Sequence, residues 1–224
     1  MTAEITPTPN GPLHAQRITA LKNDGGDTID TAESIFLCRC GTSKNKPYCD
    51  GAHQAAGFSD HRISSTPNSA AEISGKEITV IDDFSLCAHA GECVDGAPAT
   101  FFTKEAGRRV SHPDATPVEQ VIATIRRCPS GSLLYKLRGK REHAYSTDTG
   151  VRVEKDGPLH VHQAKLNGDA QPATDDHYTL CRCGASLNKP FCDGMHAKVK
   201  FRDGSGGEAK SGAPAPLPGS QTIK

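Results

Sequence analysis

Tryptophan is absent from this 224-residue chain, aromatic residues make up only 5% of it, and hydrophobic residues of all kinds reach 35%. No apolar run approaches the roughly 18 residues that a membrane span needs. With 22 glycines and 15 prolines as well, one large core is poorly supplied. Small, loop-rich units held by metals or cross-links suit this composition better. Excess charge is missing too, since 26 Lys and Arg face 26 Asp and Glu. That leaves no bulk positive field for a phosphate backbone, which argues against nucleic-acid binding. The opening stretch MTAEITPTPN has no charged segment followed by an apolar one, so no secretory signal is expected. We therefore expect a soluble, cytoplasmic protein with no membrane contact. In that compartment disulfides are rare and clustered Cys and His more often bind metal.

What the chain does have is cysteine, nine in all. Six of them lie in two stretches that are nearly one stretch written twice, CRCGTSKNKPYCDGAH from Cys38 to His53 and CRCGASLNKPFCDGMH from Cys181 to His196. Both read Cys-x-Cys-x8-Cys-x3-His. Alternate residues of an extended strand share a face, so Cys38 and Cys40 point the same way. The turn at Asn45-Lys46-Pro47 can return Cys49 to them, and a helix beginning near Asp50 would put His53 on the same side. The second copy repeats this with Cys181, Cys183, Cys192 and His196. Spacing alone leaves two occupants open, a structural zinc in a Cys3His site or an iron–sulfur cluster.

The duplication extends beyond the loops. Gly11-Pro12 leads into an expected strand from Leu13 to Ile18, and Ile35-Phe36-Leu37 delivers Cys38. Gly157-Pro158-Leu159-His160 and Tyr178-Thr179-Leu180 do the same for Cys181. Phe58 and Phe201 follow the two histidines at equal spacing. Each copy is thus a small domain of about 45 to 50 residues.

Between the copies the character changes. Ile78-Thr79-Val80-Ile81 reads as a strand and Cys87 and Cys93 follow. A helix is then signalled by Thr116 as N-cap, Pro117 at the first position and Glu119 completing a capping box. Val118, Val121, Ile122 and Ile125 form its apolar stripe, and Pro129 should end it at Cys128. Leu133 to Leu137 reads as a closing strand. The boundaries expected are a disordered lead 1–10, a first repeat domain 11–60, a linker 61–76, a middle domain 77–140, a linker 141–150, a second repeat domain 151–203 and a disordered tail 204–224. His160 and His162 are expected to have surface or packing roles. Lys46 and Lys189 are turn residues that could offset negative charge nearby.

The two stretches resemble the CDGSH iron–sulfur domain, the family that includes mitoNEET, with Ala52 and Met195 where the signature has Ser. The resemblance implies a [2Fe-2S] cluster on three Cys and one His in each copy: Cys38, Cys40, Cys49 and His53, then Cys181, Cys183, Cys192 and His196. It also implies that tandem copies pack as an intramolecular pseudo-dimer. The middle run Cys87-Ala88-His89-Ala90-Gly91-Glu92-Cys93, followed by Cys128-Pro129, resembles a divergent mono-cluster ferredoxin of bacterial type. Ala90 stands where that pattern has a further Cys. Three thiolates imply a [3Fe-4S] cluster, or a [4Fe-4S] cluster with His89 or an external group on the fourth iron.

The fold expected is therefore α+β: a small multi-domain iron–sulfur protein whose two β-rich CDGSH domains form a pseudo-dimer around or beside a ferredoxin-like domain. Its function would be electron transfer as a monomer, to a redox partner protein. The alternatives are a [2Fe-2S] carrier or redox sensor serving an apo iron–sulfur acceptor, and a zinc-stapled interaction module. No nucleophile–base pair, phosphate loop or nucleotide fingerprint is visible, so no enzymatic activity is expected.

Overall fold

The computed structural model describes residues 2–63, 70–105 and 108–204. In the first copy the strands are β1 (Glu4–Pro7), β2 (Leu13–Gln16), β3 (Leu21–Lys22) and β4 (Ser34–Leu37), followed by the single turn α1 (Ala52–Ala55). Their burial follows the pleat: Leu13, Ala15, Ile35 and Leu37 are buried while His14, Gln16 and Ser34 face outward. Antiparallel pairing sets Leu13 opposite Leu37 and Ala15 opposite Ile35, so the apolar face is continuous.

The middle segment contributes β5 (Ala71–Ser74), β6 (Ile78–Asp82), the short helices α2 (Glu92–Gly96) and α3 (Pro98–Phe101), and the hairpin β7 (Thr103–Glu105) and β8 (Arg108–Val110). Then come α4 (Val118–Arg126), β9 (Leu133–Leu137) and β10 (Lys140–Glu142). The sheet runs β10-β9-β6-β5. Val121 and Ile125 of α4 are fully buried in a core with Ile78, Val80, Phe101, Leu133 and Tyr135. This is a helix laid on an antiparallel sheet by the stripe expected from the sequence.

The second copy supplies β11 (Gly150–Val153), β12 (Leu159–His162), β13 (Lys165–Leu166), β14 (His177–Leu180) and α5 (Met195–Lys198). The copies interlock by exchanging edge strands. β13 joins the first sheet in parallel beside β1, and β3 joins the second in parallel beside β11. One apolar core runs through both, from Ile5, Leu13 and Leu37 to Leu159, Val161 and Phe191. The pseudo-dimer is thus built into one chain, and the protein is mixed α+β with two repeat domains flanking the middle one.

Several expectations need correction. Residues 2–10 of the lead are not disordered: Glu4–Pro7 is a strand, because Ile5 is fully buried in the joint core and Glu4 and Ile5 pair with the second copy. The linker 61–76 contains β5, an edge strand whose Glu72 meets Lys136 at 2.7 Å. The linker 141–150 is likewise structured where Tyr145 stacks on Tyr135, with ring centroids 5.9 Å apart. Thr116 does not cap α4, because its hydroxyl accepts from Thr100 at 2.8 Å; Pro117 takes the N-cap position without a side-chain cap. The helix also ends at Arg126, with Arg127 as its C-cap. The tail from residue 205 lies outside the described residues.

Candidate metal centres

Each repeat loop is assembled by local hydrogen bonds that the sequence encodes twice. Cys38 N–H donates to Pro47 O at 2.8 Å and Cys49 N–H to Phe36 O at 2.8 Å, which returns Cys49 beside the end of β4. Ser43 Oγ ties the loop by donating to Tyr48 O at 2.7 Å, and Ser186 Oγ donates to Phe191 O at 2.7 Å. Asp50 accepts from Lys44 N–H and Ala52 N–H at 2.8 and 3.1 Å, fixing the turn before α1. Asp193 does the same with Leu187 and Met195. Gly51 and Gly194 take positive φ at the start of the two helical turns, a conformation that costs glycine little.

The result is two donor pairs per copy. Cys38 and Cys40 have their sulfurs 3.6 Å apart, and Cys181 and Cys183 3.8 Å. Cys49 Sγ and His53 Nδ1 are 3.4 Å apart, as are Cys192 Sγ and His196 Nδ1. Two sulfurs on one tetrahedral metal, each about 2.3 Å away, span about 3.8 Å, and a sulfur and a nitrogen on one metal span somewhat less. Each pair therefore fits one metal atom, and the two pairs of a loop fit two. Among the described residues no three His, Cys, Asp or Glu side chains converge on a single ion.

Electrostatics agree with that reading. Hydrogen bonding from Cys38 favours the Cys40 thiolate and raises Cys38, and Cys181 and Cys183 behave alike. Burial pushes Cys49 and Cys192 up and holds the His196 imidazole below its usual value. The protein thus favours the thiolate at Cys40 and Cys183 but not at Cys38, Cys181, Cys49 or Cys192, where a bound metal would supply the positive charge.

The arginine inside each Cys-Arg-Cys is a residue that sequence reasoning missed. Arg39 donates to Gly11 O and Thr8 O at 2.6 Å and to Asp60 at 3.0 Å. Arg182 donates to Gly157 O, Glu154 O and Asp203 at 3.0, 2.9 and 2.5 Å. Each guanidinium also lies over the Phe of its own copy, Phe58 or Phe201, 5.4 Å from the ring centroid. The other copy enters here: Lys46 lies over Phe201 and Lys189 over Phe58, both at 5.8 Å. The turn lysines thus lie over the other copy's aromatic ring. Between the loops, Cys40 and Cys183 form a backbone bridge. A Cβ on Gly41 would come within 2.5 Å of Cys183 O, and one on Gly184 within 2.5 Å of Cys40 O.

In the middle domain Cys87 follows a short turn at Phe84–Leu86, Cys93 sits in the first turn of α2 and Cys128 just past α4. Cys93 and Cys128 share the middle core, and Ser130 and Ser132 hydroxyls lie 3.6 and 3.4 Å from the Cys128 sulfur. His89 is turned toward the second copy. Its ring meets Phe84 edge-on, with centroids 5.5 Å apart, and packs on Gly194.

Residues 10–54 and 152–197 match the family described as iron-binding zinc finger, CDGSH type, and residues 73–138 match the divergent 4Fe-4S mono-cluster family. The chain carries two CDGSH-type iron-binding domains. Its middle domain is a divergent 4Fe-4S mono-cluster domain, so this is an iron–sulfur protein. It is also similar to the uncharacterized protein YjdI of Escherichia coli K12 and of strain O157:H7, each 36% identical over 62 residues, 28% of this chain and 79% of the relative. No solved structure matches. No helix among the described residues of this CDGSH protein is long and apolar enough to cross a membrane.

Proposed function

We propose that this chain is an electron-transfer protein that holds two His-ligated [2Fe-2S] clusters and one ferredoxin-type cluster. The observation that carries the reading is the division of each loop's donors into a Cys–Cys pair at 3.6 or 3.8 Å and a Cys–His pair at 3.4 Å. A single structural zinc asks for four donors around one point, whereas these pairs suit two metals. Cys38, Cys40, Cys49 and His53 would hold the first cluster, Cys181, Cys183, Cys192 and His196 the second, and Cys87, Cys93 and Cys128 the third. When bound, such groups take up and release single electrons, at a potential raised by replacing thiolate with neutral imidazole.

The chain's own residues support this role in two ways. Backbone N–H groups of Gly51 and Gly194 point at the sulfurs of Cys49 and Cys192 at 3.4 and 3.5 Å, favouring the thiolate form. His89 packs on Gly194 and Asn188 Nδ2 donates to Ser85 O at 2.6 Å. The middle cysteine loop is therefore joined to the second copy's ligand loop. This favours exchange within the chain over a carrier that sheds its clusters. We take the protein to work in the cytoplasm as a monomer with a redox partner protein, and to catalyse no reaction of its own.

Iron and acid-labile sulfide analysis with a visible spectrum tests the reading. About seven iron atoms per chain are expected if the middle cluster is [3Fe-4S], and about eight if it is [4Fe-4S] with a non-cysteine ligand. Electron paramagnetic resonance of the oxidised protein separates these two. A colourless protein containing zinc and no sulfide would overturn the proposal in favour of an interaction module.

A further inference from the structure

A cleft of about 340 Å³ opens between the end of α4 and the second repeat's sheet. Three arginines line it: Arg126 and Arg127 from α4 and its cap, and Arg152 from β11. Three histidines line it as well. His160 and His162 are alternate residues of β12, and His177 of β14 stands directly opposite His162 in the register, so all three share one face of the sheet.

Each imidazole has one nitrogen already engaged. His160 Nε2 meets Glu154 at 2.5 Å, His177 Nδ1 meets Asp176 at 2.9 Å and His162 Nδ1 meets Ser146 Oγ at 2.7 Å. Ionised carboxylates only accept, so in the neutral ring the N–H of His160 and of His177 faces its carboxylate and the other nitrogen presents a lone pair. Those two nitrogens, His160 Nδ1 and His177 Nε2, are buried without a partner, in side chains only 3% and 5% exposed. A buried acceptor left without a donor is costly, so a donor belongs here.

The arginines say what else that donor carries. Arg126 donates to Tyr135 OH at 3.0 Å and lies over the Tyr145 ring, with no carboxylate partner among the described residues. Arg127 and Arg152 each spend one N–H, on Glu92 at 3.0 Å and on Asp24 at 2.9 Å, out of the five that a guanidinium has. The one carboxylate among the cleft residues, Asp148, is exposed and 4.0 Å from Lys22. No three of the cleft's donors converge on a metal ion.

We propose that this cleft binds a small oxyanion that keeps a proton, of the hydrogen phosphate class. Its charged oxygens accept from the arginines, and its O–H donates to the lone pair of His160 or His177. Cys128 lines the same cleft, so the anion sits beside the middle domain's last cysteine. Sulfate has the same shape but no O–H at neutral pH, and a phosphate monoester is mostly without one.

Isothermal titration calorimetry of the full iron-loaded chain at neutral pH, at matched ionic strength, tests this with inorganic phosphate, methyl phosphate and sulfate. Phosphate is expected to bind one site per chain with a Kd of about 1 mM or tighter, and the other two about tenfold more weakly or worse. Arg152→Gln is half-exposed and leaves the core alone, and it should weaken phosphate about tenfold; Arg126→Lys keeps the charge but loses the fork, and should also weaken it. No saturable binding of phosphate, equal binding of sulfate or methyl phosphate, or affinity unchanged in both variants would overturn the proposal. Far-UV circular dichroism confirms that the variants remain folded.

Discussion

Replacing Arg182 with alanine should destabilise the protein far more than the equivalent change at Arg39, although the two arginines occupy the same place in the repeat. Arg182 and Asp203 form an ion pair at 2.5 Å in which both side chains are 1% exposed. Truncating Arg182 removes the countercharge of that buried carboxylate, leaving the Asp156 N–H at 3.3 Å among its donors, and takes one donor each from the carbonyls of Gly157 and Glu154. Breaking a buried pair by removing one partner costs about 3–5 kcal/mol. Arg39 is as buried, but its partner Asp60 is 32% exposed and also accepts from Asn10 N–H at 3.1 Å. Water can therefore solvate Asp60 once the guanidinium is gone, and the loss reduces to one donor each at the carbonyls of Gly11 and Thr8, the latter still accepting from Gly11 N–H, about 1–3 kcal/mol. The assay is denaturant unfolding of the iron-loaded chain followed by far-UV circular dichroism. Cofactor loss makes the transition more than two-state, so the order of midpoints carries the comparison. The expected order is parent, then Arg39→Ala, then Arg182→Ala as the least stable. An Arg39→Ala midpoint equal to or below that of Arg182→Ala would refute the reasoning.

Three further outcomes are expected. Gly41→Ala places a methyl 2.5 Å from the Cys183 carbonyl at φ +83°, where backbone cannot yield, so the iron content of both repeats should fall together; loss confined to the first repeat would contradict a shared interface. Burial holds His162 and His177 below the usual imidazole value, so the unfolded chain takes up their protons first and stability falls as pH drops below about 6.5. His162→Gln should flatten that slope by up to about 1.4 kcal/mol per pH unit, read from unfolding midpoints across the range, and an unchanged slope counts against it. His53→Cys and His196→Cys should each slow bleaching of the visible spectrum in mild acid, because protonating an imidazole removes it as a donor; identical bleaching rates would exclude His as the labile ligand.

The donor loops could be read from the sequence because their geometry is local. Strand alternation aligns Cys38 with Cys40, the Asn45-Lys46-Pro47 turn returns Cys49, and Asp50 fixes the turn that carries His53, all within the loop itself. The same holds for α4, whose apolar stripe needs only helical spacing. Its cap was misread because Thr100, sixteen residues away, engages the Thr116 hydroxyl. Arg39 and Arg182 were overlooked for a related reason. An arginine between two cysteines looks like any charged surface residue until Asp60 and Asp203, each twenty-one residues on, reach it. The histidine cluster also formed out of sight, since His177 meets His162 only by strand pairing.

By itself, then, the sequence determined that there are two equal loops of three Cys and one His, a middle domain with three more thiols, and too little apolar material for a single ordinary core. These follow from composition and from contacts between residues close along the chain. Only the tertiary structure decided that β3 and β13 cross into the other copy's sheet, that Lys46 and Lys189 each lie over the other copy's Phe, and that the middle cysteine loop rests on the second ligand loop. Such pairings join segments far apart in sequence. Their partners are selected by burial and hydrogen-bond register, which no spacing along one chain specifies.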